Sequence, residues 1–239
     1  MSVHNQRIAI LGGSSGVGLA LAKLTASLGA QVILTGRDEK KLQEAVKQIN
    51  VPVQAEVADG ANAKQMKDFF ARIGRVDHLV ITISGAKGGG MFKELDFSEL
   101  RAGFEAKFWA HVTSLQVALP FLRTDGSATL ISAISARRAN PGTAGLAAIN
   151  GAIEAVIPTL AVELRPLRVN AVSPGVIDTP WWNWVPEEQR RALFDQSAAQ
   201  TPVGRVGKPE DIARAVLFII EDTFMTGSVI ECDGGLRLI

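Results

Sequence analysis

The chain has 239 residues, 47% of them hydrophobic, so it is long enough to bury a sizeable core, and we expect a single domain. Its formal net charge of +1, from 25 basic and 24 acidic residues, provides no overall field for nucleic acid or an anionic membrane and favours small-molecule ligands. The N-terminus lacks a secretory signal pattern, no stretch approaches the ~20 apolar residues of a membrane span, and the lone Cys232 can form no internal disulfide, so we expect a cytoplasmic protein.

Short apolar runs alternate with amphipathic segments along the whole chain. The predicted strands are, in order, RIAIL, QVILT, VPVQAEV, HLVITI, SATLI, LRVNAV and GSVIEC. The predicted helices are GVGLALAKLTASLG, DEKKLQEAVKQI, AKQMKDFFARI, a long one near 98–122, another near 145–164, and KPEDIARAVLFII, whose proline suits a first helical turn. This alternation is typical of a parallel sheet covered by helices on both faces.

One segment interrupts the alternation. TPWWNWVPEEQRRALF, which starts at Thr179, contains three tryptophans and two prolines. We interpret it as an excursion from the sheet, and its aromatic side chains would suit an apolar or ring-shaped substrate, or would pack the excursion on the core or on another subunit.

A glycine-rich turn follows the first predicted strand directly. Gly12, Gly16 and Gly18 have the spacing GxxxGxG, and a helix begins behind them. Glycines there let the backbone turn tightly and approach a pyrophosphate, while the helix N-terminus offers unpaired N–H groups and partial positive charge. Because the turn is the first strand-to-helix connection of an alternating chain, it predicts a dinucleotide site.

Three stretches resemble one known family. ILGGSSGVG is similar to the TGxxxGxG cofactor loop of the short-chain dehydrogenase/reductase family, with Leu11 in place of the threonine, and RVNAVSPGVIDTP and TGSVIECDGG follow in the expected order. The resemblance covers essentially the whole chain. It implies one α/β Rossmann domain over 1–239 with a doubly wound seven-stranded parallel sheet, a substrate-covering lobe at about 179–205, bound NAD(H) or NADP(H), and a homodimer or homotetramer.

The residue after the second strand bears on which dinucleotide binds. Arg37 stands where members of this fold that prefer NAD usually have an acid, and an arginine can pair with a 2′-phosphate and stack on adenine. We therefore expect NADP(H) in preference to NAD(H). Asp38 either takes the ribose instead or caps the next helix.

The resemblance also implies the other cofactor contacts. Ser14, Ser15 and Val17 would line the phosphate turn, Glu56 and Val57 would lie near adenine, and Asn150 would bond a ribose hydroxyl. Ser84 and Gly85 belong to ITISG, which replaces the family's asparagine-rich motif after the fourth strand. The nicotinamide end would be wrapped by Pro174, Gly175, Val176, Ile177 and Thr179.

The acid on which the family relies is missing. The resemblance places a catalytic tyrosine at Leu146 and its lysine helper at Asn150, and the chain contains no tyrosine at all. The family's serine, which polarises the substrate carbonyl, falls near Ala133. We choose Ser132 because it directly follows a strand, and Ser135 remains as a turn residue.

Two side chains offer a replacement proton donor. Lys107 and His111 lie four residues apart, on one helix face near the expected cleft, and Lys107 stands at a family asparagine. A buried lysine has a lowered pKa and histidine titrates near neutral pH, so either can deliver a proton. Alternatively, Lys107 contacts the cofactor or backbone and His111 lies at a subunit interface. The catalytic candidates are therefore Ser132, Lys107 and, secondarily, Asn150.

Two functions compete, and neither includes a metal, because the sequence shows no cluster of metal ligands. The first is an atypical NADP(H)-dependent oxidoreductase that transfers hydride to or from a small, apolar carbonyl, alcohol or activated alkene. The second is a catalytically silent NADP(H)-binding protein that acts as a redox sensor or as the partner of an active relative. A scaffold without cofactor would not need the phosphate turn.

Overall fold

Seven parallel strands form one sheet in the computed structural model, which describes residues 3–239. The strands are β1 Arg7–Leu11, β2 Gln31–Gly36, β3 Gln54–Val57, β4 Val76–Ile81, β5 Leu122–Ile131, β6 Arg168–Pro174 and β7 Val229–Cys232. Their order in the sheet is β3-β2-β1-β4-β5-β6-β7, and every neighbouring pair is parallel. The doubly wound α/β fold expected from the sequence is confirmed.

Residues 3–239 also contain eight α-helices. They are α1 Gly16–Ser27, α2 Glu39–Lys47, α3 Ala63–Ile73, α4 Phe97–Phe104, α5 Ala110–Ala118, α6 Ala144–Glu163, α7 Glu187–Gln200 and α8 Pro209–Glu221. Helix α8 begins at its proline, where the missing N–H costs no helical hydrogen bond. Asp38 and Asn62 cap the N-termini of α2 and α3 with their side chains.

The sheet has a core on each face, and alternate residues of a strand enter different cores. In β1, Ile8 and Ile10 pack in one core with residues of α1 and α8, while Ala9 and Leu11 pack in the other with residues of α3 and α6. A strand buried on both faces needs apolar residues at every position, which explains the unbroken run IAIL.

The strand order reverses between β1 and β4, where a ligand crevice is expected. The chain leaves β1 for β2 and β3 on one side, then crosses back to β4 on the other. In open α/β sheets, ligands bind beyond the carboxyl ends of the strands at such a point.

The long helix predicted near 98–122 is interrupted. Helix α4 passes into a π-helical segment, Glu105–Trp109, before α5, and a 3₁₀ turn at Leu119–Phe121 contains Pro120. A proline cannot donate the helical hydrogen bond, so the α-helix ends before it and β5 starts at Leu122. π-Helical segments often lie at functional sites, and this one carries Lys107.

Helix α6 corrects the expectation that no segment has the length and apolarity of a membrane span. It has 20 residues with a mean hydropathy of 1.6, enough to cross a membrane by length and composition alone. The helix nevertheless packs on β6 and carries the hydrogen-bonded polar side chains Asn150 and Glu154, as a core helix does. Its length agrees with the helix predicted near 145–164, whereas the small residues and interspersed polar groups hide its overall apolarity.

The region expected to form a lobe, about 179–205, leaves the sheet after β6. It consists of a 3₁₀ turn, Pro180–Trp184, followed by α7, in which no residue is fully buried. The chain then returns through α8 to β7 at the edge of the sheet.

Candidate cofactor and active site

The turn between β1 and α1 is too tight for side chains at its glycines. A Cβ on Gly12 would lie 2.8 Å from Thr82 Oγ1, and one on Gly18 would lie 2.7 Å from the same atom and even closer to the Gly12 carbonyl oxygen. Gly12 also has a φ of +87°, which L-residues rarely adopt. The Thr82 hydroxyl lies 3.0 Å from the Leu11 and Gly12 carbonyl oxygens, so it ties β4 to the turn.

The N-terminus of α1 is left open for an anion. Ser15 is its N-cap, but its side chain makes no capping hydrogen bond, and the first turn contains no acidic residue. The first N–H groups of the helix therefore keep their partial positive charge for a ligand. A pyrophosphate fits this arrangement, with Ser14, Ser15 and Val17 around it.

Two side chains at the end of β2 have different roles. Asp38 Oδ1 accepts a hydrogen bond of 3.1 Å from the Lys41 backbone N–H, so it acts as the helix cap, one of its two expected roles. Arg37 is exposed and has no hydrogen bond or ion pair with any residue in 3–239. Its guanidinium is available to a ligand phosphate.

The expected adenine contacts, Glu56 and Val57, are the last two residues of β3. The Glu56 carboxylate is 2.7 Å from Arg72 Nε, in an ion pair, whereas the Val57 side chain is half exposed and open to a ligand. Of these two side chains, Val57 is therefore the more available for contact with an adenine ring.

The loops after β4 and β6 meet over the crevice. Trp181 donates its indole N–H to the Gly85 carbonyl oxygen at 3.1 Å, and Trp182 donates to the Ile177 carbonyl oxygen at 2.9 Å. Ser84 is exposed beside Gly85. The lobe is therefore bonded to both loops that were expected to hold the nicotinamide.

The β6 loop also reaches the phosphate turn. A Cβ placed on Gly16 would lie 3.3 Å from Thr179 Cγ2, so the two segments are in contact distance. The loop is held from the other side by backbone hydrogen bonds between Val176, Gly207 and Asp178. The remaining residues of the expected nicotinamide loop, Pro174, Gly175 and Ile177, lie along it.

Lys107 is buried at the centre of the candidate site. Its Nζ is 2.6 Å from Asn150 Oδ1 and 3.1 Å from the Ser132 carbonyl oxygen, and the residue is only 8% exposed. An ammonium group has three N–H donors, so one remains for a ligand or water. Lys107 and Asn150, for which the resemblance implies an asparagine and a lysine respectively, are thus directly hydrogen-bonded.

Burial changes the ionisation of both candidate proton donors. It lowers the pKa of Lys107 to about 8, against the opposing effect of Glu154. Burial, reinforced by Lys107, lowers the pKa of His111 to about 3. His111 is therefore neutral at pH 7, while Lys107 is largely protonated.

His111 holds a loop and donates no proton to the crevice. Its Nε2 lies 2.8 Å from the Ile83 carbonyl oxygen, which can only accept, so Nε2 carries the hydrogen. Its Nδ1 is buried without a hydrogen-bond partner in the described part of the chain. Of the two candidate donors, the geometry favours Lys107.

Asn150 connects Lys107 to a serine. Its Nδ2 donates to Ser135 Oγ at 3.0 Å and to the Leu146 carbonyl oxygen at 2.9 Å. Because Ser135 Oγ accepts this bond and donates none to another residue in 3–239, its own proton is free for a ligand. The polar row is therefore Lys107, Asn150 and Ser135, beside the apolar side chain of Leu146.

The hydroxyl chosen from the sequence, that of Ser132, lies outside this row. Ser132 Oγ donates to Glu154 Oε1 at 2.7 Å and is buried, so only the Ser132 carbonyl oxygen meets Lys107. Ser132 directly follows β5, as expected, but of the two serine hydroxyls only that of Ser135 is open to a ligand, and a catalytic role for Ser132 stays a prediction.

The tryptophans pack edge to face in the lobe. The ring centroids of Trp181 are 4.7 Å from those of Trp182 and 5.8 Å from those of Trp184, and Trp182 packs on Phe194 of α7 at 5.8 Å. Trp184 remains 59% exposed. Trp181 and Trp182 thus have a packing role, and Trp184 presents a free aromatic surface.

Four functional contacts were not foreseen from the sequence, namely those of Thr82, Ser135, Glu154 and Trp181. Glu154 carried a signal, since it is the one acidic residue inside the apolar run of α6 before its last residue. In residues 3–239, no three metal-binding side chains come together.

Comparisons with known proteins identify the family of the chain. A family model described as enoyl-(acyl carrier protein) reductase matches residues 12–237. The 3-oxoacyl-(acyl-carrier-protein) reductase FabG of Thermotoga maritima is 31% identical over 249 residues, which cover 99% of each chain.

Solved structures share the whole fold. A small-chain dehydrogenase in complex with NADPH is 32% identical, with a TM-score of 0.85 over 98% of this chain and 100% of that one. A short-chain oxidoreductase from Pseudomonas aeruginosa PAO1, described as containing an atypical catalytic center, is 26% identical, with a TM-score of 0.89 over 99% and 98% of the two chains.

Proposed function

The chain belongs to the short-chain dehydrogenase/reductase family of NAD(P)-dependent oxidoreductases, and we propose that it is an atypical member that uses NADP(H) and works without the family's tyrosine and lysine. The observation that carries the proposal is the polar row of buried Lys107, buried Asn150 and partly buried Ser135, which ends in a hydroxyl with a free proton.

NADP(H) is the preferred cofactor in this proposal. The glycine turn and the open N-terminus of α1 suit the pyrophosphate, and the unpaired Arg37 suits a 2′-phosphate. A relative of the same length was solved with NADPH, which agrees with this preference. When bound, the cofactor would supply or accept the hydride.

Ser135 would act on the substrate oxygen. During reduction of a carbonyl its hydroxyl donates a hydrogen bond to that oxygen and passes the proton to it, and solvent water then returns a proton to Ser135 Oγ. The bond that Ser135 accepts from Asn150 makes its own hydroxyl a better donor, because hydrogen bonds in a chain polarise one another.

Lys107 would supply positive charge in this mechanism, and it would not relay protons. The Asn150 amide separates Lys107 from Ser135, and an amide that keeps its N–H bonds passes polarisation along rather than a proton. A buried ammonium near the developing oxyanion stabilises the transition state more than it would in water. Since burial brings the pKa of Lys107 to about 8, reduction should weaken above that pH.

The substrate class follows from the walls of the crevice. Leu146 and the lobe tryptophans Trp181 and Trp184 are apolar, so we propose a small, apolar carbonyl, alcohol or activated alkene. The second candidate function, a catalytically silent NADP(H)-binding protein that senses redox state or partners an active relative, is favoured by Leu146 at the tyrosine position.

Calorimetry followed by a turnover assay tests the proposal. We expect NADPH to bind more tightly than NADH, and NADPH to be oxidised with at least one member of a panel of apolar aldehydes, ketones and enones. Ser135→Ala and Lys107→Gln should each lower kcat roughly 10²- to 10³-fold, as expected for loss of one oxyanion-stabilising group.

The control and the outcomes separate the candidates. Ser132→Ala removes the buried hydroxyl and should leave more activity than Ser135→Ala. Selective binding without turnover of any panel member would support the silent protein, and absence of binding by either nucleotide would contradict both functions.

We also propose a cytoplasmic homodimer or homotetramer. The lone Cys232 suits a reducing compartment, and large apolar side chains are exposed on and after α8, with Phe218 at 52% and Phe224 at 98% exposure. Analytical ultracentrifugation should give a mass of two or four chains, and Phe224→Glu should lower that mass. A monomeric wild-type protein would contradict the assembly. Cell fractionation tests the cytoplasmic location.

A further inference from the structure

A second charged layer lies behind the candidate site. Glu154, on α6, is 8% exposed, and its two carboxylate oxygens accept hydrogen bonds of 2.7 Å from Ser132 Oγ and from Arg137 Nε. Arg137 is held in turn by Glu231, with Nη1 2.8 Å from Glu231 Oε1. Hydrogen bonds and the positive charge of Arg137 offset the cost of burying this carboxylate.

Ser132 joins this layer to Lys107. Glu154 bonds its hydroxyl, and Lys107 Nζ lies 3.1 Å from its carbonyl oxygen, so one residue separates the carboxylate from the ammonium. Glu154 is the charged group that opposes the effect of burial on Lys107. In residues 3–239, the other titratable side chain that acts on Lys107 is His111, four residues further along in α5 and neutral at pH 7.

We propose that Glu154 is a positioning residue whose charge keeps Lys107 protonated at neutral pH, and that Arg137 limits this effect, so that the pair sets the pH range of the site. The catalytic consequence rests on the proposed function, while the ionisation of Lys107 does not.

A purely structural role for Glu154 would not need its charge. The Ser132 hydroxyl has a second acceptor, the Val172 carbonyl oxygen at 3.3 Å, so a neutral residue at 154 would leave it satisfied. Arg137 reaches the buried carboxylate from the surface, where it is 43% exposed and still attracts Glu231. Glu154 therefore adds negative potential at Lys107, and Arg137, which binds Glu154, reduces that potential.

The negative charge of Glu154 and the positive charge of Arg137 can each be removed by a substitution. Glu154→Gln keeps the length of the side chain and an acceptor for Ser132 but removes the negative charge, so the titration midpoint of Lys107 should fall by about one pH unit. Arg137→Gln leaves the Glu154 carboxylate less compensated and should raise the midpoint. Opposite shifts from two substitutions in one cluster are a signature of charge, which loss of packing does not produce.

The midpoint is measurable without turnover. Carbon-13 NMR of the full chain with labelled lysine Cε follows each ammonium as a function of pH, and Lys107→Gln identifies the signal. Glu231→Gln is the matched control, because it removes a carboxylate from Arg137 without touching Ser132, and its midpoint should move far less than that of Glu154→Gln.

The outcomes distinguish this inference from the proposed function. Unchanged midpoints in both folded variants would overturn the inference, and Arg137→Gln alone decides if Glu154→Gln does not fold. If the shifts occur and no substrate turns over, the inference stands and the proposed function fails. If turnover exists, the high-pH loss of reduction should move to lower pH in Glu154→Gln.

Discussion

At the scale of single residues, the unusual feature is where positive charge and proton donors lie. The family resemblance implies a lysine at the position of Asn150 and an asparagine at that of Lys107, and in the structure Lys107 Nζ lies 2.6 Å from Asn150 Oδ1. The charge therefore reaches the same cluster from the π-helical segment before α5 instead of from α6. In the proposed mechanism Leu146 stands at the position of the acid, and the free hydroxyl of Ser135 takes over its role.

Arg37 gives a prediction about cofactor choice. Arg37→Ala should weaken NADPH binding roughly 10- to 100-fold, because a hydrogen-bonded charged pair contributes about 1.5–3 kcal/mol, and should change NADH binding little. Calorimetric titration of both nucleotides measures the difference. Lys40→Ala, which removes another exposed cation from the start of α2, is the control, and equal loss of NADPH and NADH affinity in Arg37→Ala would contradict the 2′-phosphate assignment.

At the scale of elements, the cofactor site depends on how closely β1, α1 and β4 approach. Gly18 lets α1 start directly against the Gly12 carbonyl, and the Thr82 hydroxyl fills the remaining space from β4. The same closeness directs the first N–H groups of α1 into the crevice. Element packing, rather than any charged side chain in the turn, makes the anion site.

Gly18→Ala tests this packing. Its Cβ would meet the Gly12 carbonyl and Thr82 Oγ1, so the helix must shift, and we expect a loss of about 1–3 kcal/mol in the free energy of unfolding and at least tenfold weaker NADPH binding. Urea unfolding and calorimetry measure the two effects. Gly151→Ala is the matched control on α6, where no atom lies within 4 Å, and there alanine should stabilise by about 0.5–1 kcal/mol. Equal behaviour of the two variants would contradict the close approach.

At the scale of the whole molecule, polar groups buried between the layers make stability depend on pH. Burial, with help from Arg168, lowers the pKa of His78 to about 4, and that of His111 is lowered to about 3 by burial and by Lys107. Both histidines are hydrogen-bonded as neutral rings, to Ser127 and Gln6 in one case and to Ile83 in the other.

The direction of this pH dependence follows from how many protons the folded and unfolded states bind. Above pH 6.5 the histidines are neutral in both states and this stability is fully present; as pH falls from 6.5 towards 4, only the unfolded chain binds protons, so stability is lost. Each histidine should contribute up to about 1.4 kcal/mol per pH unit. Urea unfolding at pH 7.5, 6 and 5 measures the decline, and His78→Gln should make it shallower. A free energy of unfolding that stays constant down to pH 5 would contradict the prediction.

The sequence by itself determined the alternation of strands and helices, the glycine turn, the free arginine after β2 and the loss of the tyrosine. These features depend on local sequence. A strand buried on both faces is a continuous apolar run, an amphipathic helix has apolar residues at helical spacing, and a tight turn requires glycine. The interruption at Lys107 and the end of β4 at Ile81 were missed, because they depend on packing between layers.

Only the tertiary structure decided which polar groups meet. Lys107 and Asn150 are 43 residues apart, Ser132 and Glu154 are 22 apart, and Trp181 and Gly85 are 96 apart. Beyond the end of a strand no period fixes the direction of a side chain, so the choice between Ser132 and Ser135 depended on what each hydroxyl could reach. Contacts between distant segments depend on how the helices and loops pack around the crevice, and the spacing of residues along the chain does not predict that packing.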